Sequence, residues 1–139
     1  MFANVISIFM FILVVWALLN ISYWYIKGRH KSGNLKYYWQ MNAIWNVINL
    51  IIAVASLFIT IAFRSNYNNN LNTQELIIWI LAINILLDLC YVGFGVALEN
   101  NNKNKPIKYK GWGLSIQLQG AFLFLFDTLF TLTLLIVVI

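Results

Sequence analysis

"QMNAIWNVINLII", residues Gln40–Ile52, sets asparagines at 42, 46 and 49 inside an otherwise apolar stretch. Intervals of four and three trace one face of an α-helix, whereas a half-buried strand alternates every second residue. The same rhythm runs on through Ala53, Ser56 and Thr60. The stretch therefore reads as a helix that is apolar on most sides and small or polar along one stripe.

Widening the view from this helix gives the fold class. Of 139 residues, 62% are hydrophobic and only 9% are charged, against about 25% charged in soluble domains. The charges are absent from four blocks, residues 2–26, 38–63, 75–98 and 112–139. Each exceeds the roughly 20 residues that a helix needs to cross the hydrocarbon layer. The expected architecture is all-α, a single domain over residues 1–139 forming an up-down-up-down four-helix transmembrane bundle. The first block has no basic region before it and no small-residue cleavage site after it, so it reads as a span and not as a cleaved signal.

The loops orient the bundle. Lys27, Arg29, Lys31 and Lys36 lie between the first two blocks, and Lys103, Lys105, Lys108 and Lys110 between the last two. The middle link, "RSNYNNNLNTQE", has one Arg and one Glu. Basic residues in short loops stay on the cytoplasmic side. Both basic loops should face the cytoplasm, with the N-terminus, the middle link and the C-terminus outside, in the cell's inner membrane. The net charge of +5 is explained by this topology, and no folded basic surface for nucleic acid is implied. The asparagine runs "NYNNNLN" and "ENNNKNK" read as polar linkers of biased composition, and Pro106 as a residue near the start of the fourth helix. "LLNISY" (residues 18–23) and "LLDLCY" (residues 86–91) match at an offset that aligns Asn20 with Asp88. The match is too short to establish a duplication.

Every span has a small or polar face. Besides the stripe from Asn42, the third span offers Asn84, Asp88, Tyr91 and Gly95, and the fourth Gly113, Gln117, Gly120, Phe124, Asp127 and Thr131. The first offers Trp16, Asn20 and Tyr23. Such faces turn from lipid toward the bundle interior. Asn20, Asn42, Asn46, Asn49, Asn84, Asp88, Gln117 and Asp127 thus form an expected intramembrane polar cluster. The amides serve either as interhelical ties, worth roughly 0.6–2 kcal/mol each, or as the lining of a cavity for an ion, water or ligand.

The acids demand more. An Asp at a helix centre costs about 2.5–3.5 kcal/mol on insertion scales. Helical rise places Asp88 about 15–20 Å above the inner face, level with Asn46 and Asn49, and Asp127 about 25 Å up. No Lys, Arg or His stands inside any span to pair with them, although Arg64 at the outer end of the second span is within a possible reach of Asp127. Burial without a cation favours the neutral acid. Asp88 then acts either as a structural hydrogen-bond donor to Asn46 or Asn49, or as a proton or cation site.

Catalytic constellations are missing. One histidine (His30, in "KGRHK") and one cysteine (Cys90) make no metal or haem ligand set, and no serine has a base partner. No cofactor is expected. Aromatic residues beside the basic loops form an interfacial belt, while Trp16, Trp45 and Tyr91 are candidates to line a pocket for an apolar ligand.

At "YYWQMNAIWNVINLIIA" and "GWGLSIQLQGAFLFLFD" the chain resembles an uncharacterised family of small bacterial four-span integral membrane proteins. The resemblance implies the four-span topology and assigns no activity to any residue. The leading expectation is a non-enzymatic helical bundle acting in membrane assembly, as a homo-oligomer or as an accessory subunit held among other membrane helices. The alternatives are a proton- or cation-conducting or coupled transport protein that uses Asp88, and a binder of a lipid or quinone-like ligand.

The orientation has a direct test. In a Cys90→Ala background, cysteines placed at Ser32 or Asn104 should be shielded from an impermeant thiol reagent in intact cells, while one at Asn69 labels. The reverse pattern would invert the topology.

Overall fold

The computed structural model describes residues 1–100 and 107–139. The elements run in the order α1 (Phe2–Ile26), a single 3-10 turn (Gly28–His30), α2 (Asn34–Ala62), α3 (Arg64–Asn69), α4 (Leu71–Asn100) and α5 (Lys108–Val138). The protein is an all-α bundle, and α1, α2, α4 and α5 are each long and apolar enough to cross a membrane. No strand occurs among the described residues.

The helices outrun their apolar blocks. α2 begins at Asn34 rather than 38, α4 at Leu71 rather than 75, and α5 at Lys108 rather than 112. Backbone hydrogen bonding has no reason to stop where apolarity stops, and the polar headgroup zones accommodate another turn on each side. Pro106 lies outside the described residues.

The middle link departs from the expectation of an unstructured polar linker. Its residues fold into α3, and each of several side chains has a task. Asn70 Oδ1 accepts from the backbone N–H groups of Asn72 (3.0 Å) and Thr73 (3.2 Å), capping the first turn of α4. Asn68 Oδ1 accepts from Ala3 N–H at the start of α1 (2.9 Å), and Gln74 donates to the carbonyl oxygens of Tyr67 (2.8 Å) and Asn68 (3.1 Å). Asparagine suits such positions because its short amide satisfies helix-end donors that otherwise lack partners. Biased composition hid a functional cap.

α5 is the central element. It packs on α4, α2 and α1, while α1 and α2 pack on each other. Glycines bring the helices this close. A Cβ on Gly113 would lie 2.7 Å from Glu99 N and from Gly95 O of α4, and one on Gly120 would lie 2.8 Å from Val92 Cγ2 and 3.0 Å from Asp88 O. On another side of α5, a Cβ on Gly111 would press on the α2 backbone, 2.8 Å from Tyr38 N. Small residues that let backbones approach are how helices associate in lipid, where dispersion replaces the hydrophobic drive. Near the same end Gln117 Nε2 donates to Glu99 Oε2 (2.6 Å), tying α5 to α4.

Toward the α3 end the interior is apolar. Phe2, Ile6, Met10 and Leu13 of α1 meet Ala53, Leu81, Phe126, Phe130 and Leu134 from the other spans. The Phe9 ring stacks on Phe130 with centroids 4.6 Å apart.

These contacts predict opposite fates for two glycines of comparable chemistry. Gly113→Val forces backbones apart and should destabilise the bundle by about 1–3 kcal/mol. Gly93, where a Cβ meets nothing within 4 Å, should accept valine with a change inside about 0.5 kcal/mol. Thermal unfolding in detergent compares them directly.

Candidate functional site

The polar residues of the interior divide into two groups. The first is a closed layer near the basic-loop end. Asn42 is fully buried on α2; its Nδ2 donates to Asn20 Oδ1 of α1 (2.7 Å), and its Oδ1 accepts from Gln119 Nε2 of α5. Asn20 in turn donates to Trp16 O (2.8 Å), and Asn46 Nδ2 donates to Asn42 O (2.7 Å). Amides from α1 and α5 thus both meet Asn42 of α2, which fixes helix rotation as well as separation.

Gln119 was not singled out by the 4-3 rhythm on the fourth span, which selects Gln117. That rhythm describes one inward face, but α5 is buried on more than one side. Gln117 faces α4 and bonds Glu99, while Gln119, 1% exposed, faces α1 and α2. A second inward stripe containing Gly111 and Ser115, both buried, was the available signal.

The second group faces a cavity of about 420 Å³ enclosed by α2, α4 and α5, with Ile6, Met10 and Leu13 of α1 at its back. α2 and α4 stand on opposite sides of it. They come together at the basic-loop end through the Trp45 and Tyr91 rings, with centroids 5.1 Å apart, which floor the cavity. Ile48, Ile52 and Ile59 on α2 and Ile80 and Leu87 on α4 line it while remaining exposed, so its mouth opens sideways between these helices. Apolar side chains make most of the wall. Set into it are Asn49, Asn84, Asp88 and Asp127, with Ser56 and Thr60 farther along α2.

Asp88 and Asp127 are brought side by side, within hydrogen-bonding reach of each other. Counting residues along each helix put them at different depths. Cα–Cβ bonds lean toward the N-terminus of their own helix, so on antiparallel α4 and α5 the two side chains lean toward one another. Asp88 makes no bond to the expected amides: Asn46 Nδ2 donates to Asn42 O, and Asn49 Nδ2 has no partner. Nor does Arg64 reach this pair: it donates to Asn4 Oδ1 at the exposed end of the bundle. No Lys, Arg or His is among the residues lining the cavity.

Two polar atoms of the wall lack partners. Asn49 Nδ2 and Asp88 Oδ2 are both buried, on residues 5% and 3% exposed, and neither is satisfied by any amide or hydroxyl of the protein. Asn49 stands one helical turn from Trp45, and Asp88 one turn from Tyr91, so both residues lie just beyond the aromatic floor, although these two atoms have almost no accessible surface. Trp16 lies elsewhere; it stacks on Phe122 with centroids 3.9 Å apart. Among the described residues no group of three His, Cys, Asp or Glu could hold a metal ion.

A family model, described as a family of unknown function (DUF6992), matches residues 12–128. The matched span includes both groups of polar residues, from Asn20 to Asp127. No curated protein and no solved structure matches the chain.

The division predicts unequal effects of removing amides. Asn42→Leu leaves Asn20 and Gln119 without their shared partner and should destabilise the bundle by about 1–2 kcal/mol. Asn49→Leu removes an amide that bonds nothing in the protein and should leave stability unchanged or slightly raised. Unfolding of the two variants in the same detergent checks the ordering, and equal losses would contradict the division.

Proposed function

The chain belongs to the DUF6992 family, and we propose that it is a non-enzymatic integral membrane protein that holds a lipophilic small molecule between α2, α4 and α5. The observation that carries this reading is the cavity itself. Its volume of about 420 Å³ falls within the roughly 300–1,000 Å³ of small-molecule sites, and its mostly apolar wall with a few convergent polar groups has their usual composition. Its mouth opens between two helices whose outward faces are apolar, so a ligand arrives from the bilayer. In this reading the basic loops face the cytoplasm and the bundle sits in the inner membrane.

The competing readings have less support. Assembly with other helices would use the polar stripes as adhesive, but Asn20, Asn42, Asn46 and Gln119 are engaged within one copy of the chain. Ion passage requires a polar route to both faces. The amide layer and the Trp45–Tyr91 floor lie between the cavity and the basic-loop end, and the phenylalanine-rich core lies toward the other.

Binding is tested with 2-fluoronaphthalene, a neutral apolar probe followed by 19F NMR in detergent micelles. Wild-type protein should show saturable binding beyond partition into empty micelles. Ile52→Trp, which fills the cavity from its rim, should abolish that binding with the melting temperature held. Saturable binding that persists unchanged in the variant would move the site elsewhere, and none in the wild type would remove the proposal.

A further inference from the structure

The shape of the cavity, more than its few polar atoms, narrows what it holds. We infer that it takes one long, unbranched acyl chain, with the methyl end against the Trp45–Tyr91 floor and the polar end at the α3 side. This inference rests on reading the cavity as a ligand site and adds the ligand's chemical class.

The cavity is long and narrow. Its α2 wall runs from Trp45 to Thr60 and its α4 wall from Tyr91 back to Ile77, so the two walls flank it over nearly the same length. At 1.5 Å per helical residue, that length is about 21 Å. A volume of about 420 Å³ spread over about 21 Å leaves a mean cross-section of about 20 Å². Apolar groups in contact stand about 4.0–4.5 Å apart, so one polymethylene chain packed on all sides also takes about 20 Å². Extended along a zigzag of bonds of about 1.5 Å, a chain of roughly 16 carbons is about 20 Å long. Section and length both correspond to a single linear chain. A helix from a partner protein is about 10–12 Å across, too wide for the slot, and a fused four-ring sterol is also broader than a chain. A two-ring aromatic enters lengthwise but leaves most of the length empty.

The two ends of the cavity differ, and the difference orients the chain. Trp45 and Tyr91 close one end. Trp45 lies about 16 Å along α2 from its Asn34 end, within the hydrocarbon layer. The other end reaches Thr60, near the Ala62 end of α2, and Tyr67 of α3, a helix with no buried residue. A methyl end belongs at the buried floor and a polar end in the headgroup zone. No Lys, Arg or His lines the cavity to hold a carboxylate or phosphate inside it. The sideways opening lets a chain swing in from the bilayer while its head stays at the surface. Asn49 Nδ2 and Asp88 Oδ2 have almost no accessible surface, so neither atom is left facing the chain.

Position-specific photolabelling of the purified full-length chain in detergent micelles tests this. Two palmitic acids carry a diazirine, one near the methyl end and one near the carboxyl end, and peptide mass spectrometry maps the adducts. The expected result is saturable labelling around Trp45 and Tyr91 by the first probe, and around Thr60, Tyr67 and Ile77 by the second. At saturation, an equal concentration of unlabelled palmitic acid should lower the labelling about twofold, while cholesterol leaves it unchanged. Ile52→Trp and, independently, Ile80→Trp should remove the floor adducts; should neither variant fold, the wild-type map still decides. The same two chains carried on phosphatidylcholine distinguish the sources. Floor labelling by the phospholipid assigns a membrane-lipid chain, and labelling by the free acids alone assigns a fatty acid. Adducts that do not move with the diazirine, or that fall on outward residues such as Phe11 and Leu86, would overturn the inference, as would competition by the sterol. If 2-fluoronaphthalene still binds saturably, that result leaves the ligand site standing with a compact occupant. If naphthalene binding is also absent, the ligand-site reading itself falls.

Discussion

The close seating of α4 on α5 is the constraint from which the remaining features follow. Gly95 and Gly113 place the two backbones so near that a single Cβ at either position would enter the other helix, and Gly120 continues the seam past Val92 and the Asp88 carbonyl. In lipid, contact of this kind is what dispersion can reward, since no hydrophobic gain accompanies it. Once α4 is committed to α5, it cannot also lie along α2, which is itself drawn to α5 at Gly111. The two outer helices therefore stand apart beyond the Trp45–Tyr91 contact. The cavity is the geometric consequence of one helix having three neighbours.

The same arrangement explains why similar amides behave differently. Asn42 and Asn49 lie seven residues apart on one face of α2. Asn42 points where α1, α2 and α5 converge, and it is fully bonded by amides from both neighbours. Asn49 points where α4 has turned away, and its Nδ2 meets nothing. Neither the residue type nor the stripe distinguishes them. The difference lies in which helix stands opposite.

That limit marks what a single sequence discloses. The blocks of missing charge gave four spans, because bilayer thickness dictates helix length and little else competes with it. The 3.6-residue period gave the buried face of α2, on which Asn42, Asn46, Asn49, Ala53 and Thr60 are all buried. Pairing across helices was not legible, since it depends on rotation and crossing. Hence Gln117 stood in for Gln119, and Asp127 was separated from Asp88 although their side chains incline toward each other. The asparagines of the middle link were discounted as composition. Their role lies in the orphan donors of α1 and α4, which become visible only when the helix ends are placed beside them.

The energetics of the two polar groups bear on why the second persists. Each amide tie of the closed layer contributes roughly 0.6–2 kcal/mol, which is reason enough for Asn20, Asn42 and Gln119. Asn49 contributes no comparable tie, because its Nδ2 meets no acceptor. A buried polar atom without a partner costs about 1–3 kcal/mol, and the closed layer carries such atoms too, at Asn46 Oδ1 and Gln119 Oε1. There the same side chain also holds a tie that offsets the cost. Asn49 holds none, so within the protein nothing offsets its burial, and leucine in its place would relieve the cost.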